Sequence, residues 1–555
     1  MILSGRYIER EEHSIVMTPS SFQPQSQTLP SLVDEMARLY PDHPFLIETN
    51  RSLTYAAFRT EVEAYSRGLM SLGVQPGDHV AILMGNRLEW LIADFAICSI
   101  GGVMVGLNTW VTAPELGYLL GHSGSRALIT SGTYLKSDYL EMLGQIRNDD
   151  PQALSALQFV VLTDDAPQAP ETTRWSELKA LSNRVAPAVW RDAVARVQPN
   201  DLCYLLYTSG STARPKGVLL QHAPMIENMW HIGERQHVVP TDRLWLAVSL
   251  FWGLGCENAL FNVMTHGASL VLQEHFDAET AVNLIHEKEC TLFYGTPNMV
   301  TALMGTSSYE TKGLSKMRGG ATIGSPEQIQ RLVDAGLNDI CNIYGLTETY
   351  GNCHVTDASM PIDSRLRCVG QALPGNSTKI CDPDSDVSLQ LGEVGEIRIR
   401  GRILHSYFKD VEATRQAMDE EGYFRTGDLG YEDALGHLYF KGRLKELIKS
   451  GGMNVSPVEV EEAILKHKSV IAAYCVGIQS DDPQEVDVAA VVVVKPGEVV
   501  PTEALQALCA LHLARYKRPK KILFVAEDQI PLTTTGKVKK NEIAQLFIQS
   551  TRRLR

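Results

Sequence analysis

The residues best suited to chemistry begin at Thr208, Ser209, Gly210, Ser211 and Thr212, which follow the apolar run Leu205-Leu-Tyr207 and precede Lys216-Gly217. Hydroxyls and free backbone N–H groups on such a segment can wrap phosphate oxygens, and a lysine supplies the countercharge. The spacing is not that of the G-x-x-x-x-G-K-S/T phosphate loop, and by composition alone the stretch reads as a polar surface linker. Further along stand a glycine pair, Gly319-Gly320-Ala321, and four segments rich in ionisable or hydroxyl groups: Asn342-Ile-Tyr-Gly-Leu-Thr-Glu-Thr349, Tyr423-Phe-Arg-Thr-Gly-Asp-Leu429, Gly442-Arg-Leu-Lys-Glu-Leu-Ile448 and Pro531-Leu-Thr-Thr-Thr-Gly-Lys537.

Taken together, in this order, these strings resemble the motifs of the adenylate-forming superfamily: acyl-CoA synthetases, firefly-type luciferases and the adenylation domains of peptide synthetases. The resemblance runs from about Leu29 to the C-terminus and implies ATP as a substrate, Mg2+, and CoA as co-substrate. It implies that Thr208 to Thr212 and Lys216 hold phosphates. Lys537 is implied as the cation that meets the substrate carboxylate and the reacting α-phosphate, where like charges must be screened. Glu348 is implied as the magnesium ligand, a hard cation preferring carboxylate oxygen, with Thr347 bonding a phosphate. Asn342, Tyr344 and Gly345 border the nucleotide, Tyr344 near the adenine, and Gly320-Ala321 leave room for the purine along bare backbone. Asp428 accepts from both ribose hydroxyls, and Arg443 holds ribose or phosphate oxygens. Lys445 is the implied hinge between two arrangements of the C-terminal unit, and Gly451-Gly452 line the thiol tunnel. One departure concerns rate: Ala213 stands where the motif has glycine, and a positive φ there would cost of order 1 kcal/mol.

Three branches separate on one residue. Peptide-synthetase domains place an aspartate for the substrate ammonium just after a phenylalanine, whereas Ser249-Leu-Phe-Trp252 has tryptophan there. An ammonium beside an indole is costly to desolvate. Phe251, Trp252 and Met299 instead suggest an apolar acyl pocket. Gly106-Leu-Asn-Thr-Trp110 and Glu115-Leu116 resemble the acyl-CoA synthetase pattern. The expected function is therefore activation of an apolar, non-amino carboxylic acid through an acyl-adenylate, followed by thioesterification with CoA. The alternatives are a stand-alone amide ligase, transfer to a carrier-protein thiol, or an inactive nucleotide-binding regulator.

These groups need a scaffold. Short apolar runs, His79 to Met84, Gly102 to Leu107, Ala127 to Thr130, Phe159 to Leu162, Leu244 to Val248 and Ser269 to Leu272, alternate with helical segments such as Leu88 to Ile100. That alternation predicts an α/β fold with buried, largely parallel sheets. From about Val369 short alternating strands separated by Gly and Asp turns predict a small β subdomain. The expected organisation is a polar tail at 1–27, a large adenylation domain at 28–441 with its β subdomain at about 369–441, a hinge at 442–446 and a small mobile α+β lid at 447–555. In the lid, Ser456-Pro-Val-Glu459 predicts a helix start closed by a capping box.

Composition bounds the rest. With 555 residues, 44% of them hydrophobic, the chain has ample material for several cores. The net charge of −14 argues against a whole-surface nucleic-acid binder. No apolar run reaches the roughly 18 residues of a membrane span, no signal-peptide core follows Met1, and ten cysteines without regular spacing suit a reducing, cytoplasmic setting. The charge is uneven: from Arg515 onward eleven Lys or Arg face Glu527, Asp528 and Glu542. A basic mobile unit would attract ATP, pyrophosphate and CoA, with Lys517 and Arg518 expected on the CoA side.

Overall fold

The computed structural model describes residues 23–208, 214–314, 316–450, 453–480, 486–532 and 538–553. Ser209, Gly210, Ser211, Thr212, Ala213, Gly451, Gly452 and Lys537 therefore lie outside the described residues. The α/β alternation is realised as two large sheets. In one, strands run in the order Ser406–Tyr407, Lys216–Gln221, Leu202–Thr208, Val103–Gly106, His79–Leu83, Ala127–Thr130, Phe159–Leu162 and Thr173–Arg174. In the other the central strands are Asp339–Leu346, Gly319–Thr322, Leu292–Gly295, Arg243–Leu246, Ser269–Leu272 and Pro44–Ile47, all parallel. Buried on both faces, these strands are near-continuous apolar runs, as parallel sheets flanked by helices require. The helix Leu88–Ser99 between them is buried along its whole length, which explains why its sequence lacks a polar face.

The glycine pair owes its residue type to this sheet. Gly320 has φ +116°, and a Cβ there would overlap the backbone of Phe293 in the neighbouring strand. Strand-to-strand approach by itself excludes a side chain at Gly320.

The β subdomain is a four-stranded antiparallel sheet, Ser377–Cys381, Gly395–Arg400, Phe424–Glu432 and Leu438–Arg443. Val369 and Gly370 bond to Leu438 of this sheet, while Gln371–Ala372 pairs with Gly351–Val355 at the edge of the large sheet. The subdomain is not contiguous. Ser406–Tyr407 leaves it and pairs with Val218 and Leu219 of the first sheet.

Beyond Arg443 a turn, Leu444–Glu446, leads to a three-stranded sheet of Val470–Gln479, Val486–Val494 and Lys521–Phe524 with helices Pro457–Leu465, Thr502–His512 and Lys540–Arg553. Its two apolar clusters draw on residues from Ile448 to Phe547 and on none from the preceding domain among the described residues. Polar contacts join the two units, including Arg331 to the Val470 carbonyl at 3.3 Å. The helix after Ser456 forms with proline in its first turn, but the capping box does not. The Ser456 hydroxyl donates instead to the Lys441 carbonyl at 2.5 Å, and Glu459 pairs with Lys517 at 2.7 Å. Both cap groups are consumed by tertiary contacts.

Gly320→Ala is expected to destabilise the protein by more than about 2 kcal/mol, since clash and positive φ act together. Urea denaturation of the variant checks this, and a loss below about 0.5 kcal/mol would contradict it.

Candidate active site

Three segments distant in sequence meet where the two sheets and the β subdomain adjoin. The first is the hairpin Leu202–Thr208 and Lys216–Gln221, whose last pair places Thr208 opposite Lys216 across the segment of hydroxyls. The second is the end of Asp339–Leu346 and the tight turn Thr347–Thr349, which carries Glu348. The third is the hairpin Phe424–Glu432 and Leu438–Arg443, where Asp428 and Arg443 are direct cross-strand partners.

Asp428 is held from two sides. Its Oδ2 accepts from the Tyr344 hydroxyl at 3.0 Å, and its Oδ1 lies 3.3 Å from Arg443 Nε. Gly427, at φ +69°, and the Thr426 hydroxyl, which accepts from the Asp428 N–H at 3.1 Å, shape the turn that presents it. The carboxyl is only 4% exposed. Burial pushes its pKa up to about 6, against the pull of Arg443 and the Tyr344 hydrogen bond.

Glu348 is equally enclosed. Its Oε1 accepts from the Tyr407 hydroxyl at 2.9 Å, and its backbone carbonyl accepts from Leu404 N–H at 2.6 Å. Burial raises its pKa, opposed by the Tyr407 hydrogen bond and by the charges of Lys216 and Arg443. Lys216 Nζ sits 4.9 Å from the centre of the Tyr407 ring. Tyr407 was not foreseen from the sequence. It belongs to the two-residue strand that crosses back to the first sheet, and nothing in Ser406-Tyr407 by itself signals a partner 59 residues upstream.

Not every expected residue presents a free group. Asn342 is buried, and its amide donates to the Cys368 carbonyl at 3.0 Å, so its side chain ties a strand to a loop. Gly345 lies where a Cβ would overlap the Gly351 carbonyl, again a backbone requirement. The Tyr344 ring lies between His354 and Phe440, with centroids 6.0 and 5.9 Å away. Phe251 packs edge-on against Trp110 at 5.7 Å and beside Trp252 at 6.4 Å. Met299 is partly buried and packs against two apolar clusters. Glu115 closes the N-terminus of its own helix through the Thr112 N–H at 2.8 Å. Lys445 is exposed in the turn after Arg443.

The basic C-terminal stretch is less available to polyanions than its charge count suggests. Lys517 pairs with Glu459, Lys520 with Asp487 at 2.6 Å, and Lys540 with Glu446 and Glu461 at 3.1 Å each. Arg518 donates to the Leu513 and Ala510 carbonyls. Lys517 and Arg518, expected on the CoA side, thus make hydrogen bonds within the domain.

Among the described residues no cluster of three or more His, Cys, Asp or Glu could cage a metal, and no helix is long and apolar enough to cross a membrane. All ten cysteines are buried and unpaired. A lone buried carboxylate with one oxygen engaged suits Mg2+, which takes one or two protein carboxylates and completes its shell with water and phosphate oxygens.

Two outcomes are expected. Only the ionised Asp428 carboxyl can accept from two hydroxyl donors at once, so ATP affinity should fall as pH drops through about 6, where Asp428 gains its proton, and Asp428→Asn should be weak and pH-flat in calorimetric titration. In a double-mutant cycle by urea denaturation, Lys517→Met and Glu459→Gln should couple by about 0.2–1 kcal/mol, with CoA and ATP affinities unchanged.

Residues 33–408 match the family model described as AMP-binding enzyme, and residues 459–537 match the AMP-binding enzyme C-terminal domain. A Mycobacterium tuberculosis ligase named for joining a methyl-dioxo-octahydro-indenyl propanoyl group to CoA is 31% identical over 530 residues, which cover 94% of this chain and 99% of that one. The mitochondrial medium-chain acyl-CoA ligase ACSF2 of Danio rerio is 28% identical, over 95% of this chain and 89% of its own. Among solved structures, ATP-bound MatB from Rhodopseudomonas palustris superposes with a TM-score of 0.80 at 25% identity, covering 93% of this chain and 99% of that one. The hairpin of Thr208 and Lys216, the Glu348 turn and the Asp428 hairpin thus stand in a fold shared over nearly the whole chain, and the protein belongs to the AMP-binding, adenylate-forming enzyme family.

Proposed function

We propose that the protein is an AMP-forming acid–CoA ligase for a largely apolar, non-amino carboxylic acid. The observation that carries this reading is the pair of buried carboxyls, Asp428 and Glu348, each held by a tyrosine hydroxyl and converging beside Lys216 and Arg443. One accepts from hydroxyl donors, the other suits a cation, and nearby cations suit phosphate. The acyl-CoA ligases related over nearly the full chain support the acceptor.

In the first step a carboxylate oxygen of the acid attacks the α-phosphorus of ATP, the α–β phosphoanhydride bond breaks, and pyrophosphate leaves. In the second the CoA thiol loses its proton and attacks the acyl carbonyl; AMP leaves with the bonding pair. Lys216 and the hydroxyl segment Thr208 to Thr212 hold phosphates, Thr347 adds a hydrogen bond, and Asp428 with Arg443 fixes the ribose. Tyr344 braces Asp428 through its hydroxyl, and Tyr407 keeps Glu348 oriented. Glu348 would hold Mg2+, which when bound neutralises phosphate charge. Lys537 meets the reacting carboxylate and α-phosphate. Phe251, Trp252 and Met299 wall the acyl group. A swing about Lys445 then brings Gly451-Gly452 to the thiol path, dividing the chain into 28–441 and 447–555. The unpaired, buried thiols suit a reducing cytoplasm.

Acid-dependent exchange of labelled pyrophosphate into ATP tests the first step. Lys537→Ala is expected to lower that exchange by roughly a hundredfold, as loss of one charge-stabilising group does, with ATP binding retained. Exchange without acid dependence across a broad panel would refute the reading. Mass spectrometry of products formed from the adenylate with CoA and with amines decides the acceptor, and amide without thioester would replace CoA by an amine.

A further inference from the structure

Glu257 has no part in the chemistry above, yet both its carboxyl oxygens are buried without a hydrogen-bond partner. It is fully buried, and among the described residues it is the one carboxyl with both oxygens enclosed and without a hydrogen-bond partner. Leaving such a group unsatisfied costs several kcal/mol in principle. It sits on Gly253–Ala259, a wide π-helical turn that directly follows Phe251 and Trp252. Insertions of that kind are rare and concentrate at functional sites.

The position of the carboxyl is defined by its neighbours. A Cβ on Gly253 would overlap Glu257 Oε2 and would lie 3.5 Å from the Thr347 hydroxyl. Gly253 and Thr347 are both only half-buried, as are Trp252 and Leu254. The carboxyl therefore lies directly behind the bare backbone of Gly253, between the aromatic wall and the turn that carries Glu348. Glycine at 253 leaves the room that the carboxyl occupies. No cation among the described residues pairs with it: burial first, and the Glu348 charge second, hold its pKa far above the usual carboxylate range. A protonated carboxyl offers one donor and one acceptor.

Resting on the acid–CoA ligase reading, we propose that Glu257 is a specificity-determining residue that reads an uncharged hydrogen-bonding substituent, a hydroxyl or oxo group, on an otherwise apolar acid. The aromatic wall of Phe251 and Trp252 takes the hydrocarbon, and the carboxyl behind Gly253 takes the one polar atom. A site built around a buried polar group rejects the analogue that leaves it unpaired, because the penalty is then borne in the complex.

The test uses matched acids, each chain or ring with and without a hydroxyl or oxo group walked along it, in pyrophosphate exchange with the full-length enzyme. The wild type is expected to favour one substituted acid by about tenfold or more in kcat/KM. Glu257→Leu should lose that preference while its kcat/KM for the unsubstituted acid stays level or rises, and Glu257→Gln should keep part of it. Without ligand, Glu257→Leu should melt at a higher temperature than the wild type, because an unpaired polar group has been removed at similar volume. Equal losses on both acids, or a lower melting temperature with no change in preference, would make Glu257 structural and overturn the proposal. Preference for ammonium-bearing acids would overturn it as well, since it requires an ionised partner. If no acid supports exchange, the ligase reading fails on its own. Thermal shift then still decides on Glu257: stabilisation of the wild type, but not of Glu257→Leu, by substituted acids upholds it, and identical shifts refute it.

Discussion

The centre of this protein is organised around buried negative charge that the chain does not fully neutralise. Asp428, Glu348 and Glu257 are all enclosed, and burial moves all three toward their protonated forms. Among the described residues only the first forms an ion pair with an arginine, and only the first two have a hydroxyl donor. Carboxylates taken out of water without enough partners are costly, and folding tolerates them because the two large sheets supply so much apolar burial elsewhere. In the function proposed above, each carboxyl would be completed by something the chain does not provide: hydroxyl donors at Asp428, a hard cation at Glu348, and an uncharged polar group at Glu257.

The positions of these groups follow from strand geometry more than from loops. Asp428 faces Arg443 because two strands are in register, and Tyr344 reaches Asp428 because its strand ends the parallel sheet where the β subdomain begins. Elements of regular structure hold side chains more tightly than loops do. Gly320 shows how far this tightness extends, for the sheet leaves no room there even for a methyl group.

Local signals in the sequence were sufficient wherever one segment determined the outcome. The parallel strands, the buried helix after Leu88 and the motifs around Glu348 and Asp428 could be read from apolar runs and from the spacing of a few side chains. What could not be read depended on who the neighbour would be. The tie from Asn342 to the Cys368 carbonyl has no local signal, and Ser456 and Glu459 look like a cap until Lys441 and Lys517 arrive. The basic C-terminal stretch was legible as charge, but its compensation by Glu459, Asp487, Glu446 and Glu461 was not. Glu257 gave no signal at all. A glutamate among Gly, Cys, Asn and Ala in an apolar helix reads as a solvent-facing residue, and only tertiary burial makes it conspicuous.

The short strand Ser406–Tyr407 carries one more consequence. By pairing with Val218 and Leu219 it occupies the edge of the first sheet at Lys216–Gln221, a strand that would otherwise offer a row of open backbone groups to any passing chain. Exposed edges of this kind promote intermolecular pairing and aggregation. The segment that steadies Glu348 therefore also seals the sheet. A ribosome must synthesise nearly two hundred further residues before that edge is covered, so the nascent chain spends much of its synthesis with its most vulnerable strand open, and the interval before Tyr407 emerges is when a chaperone would matter most.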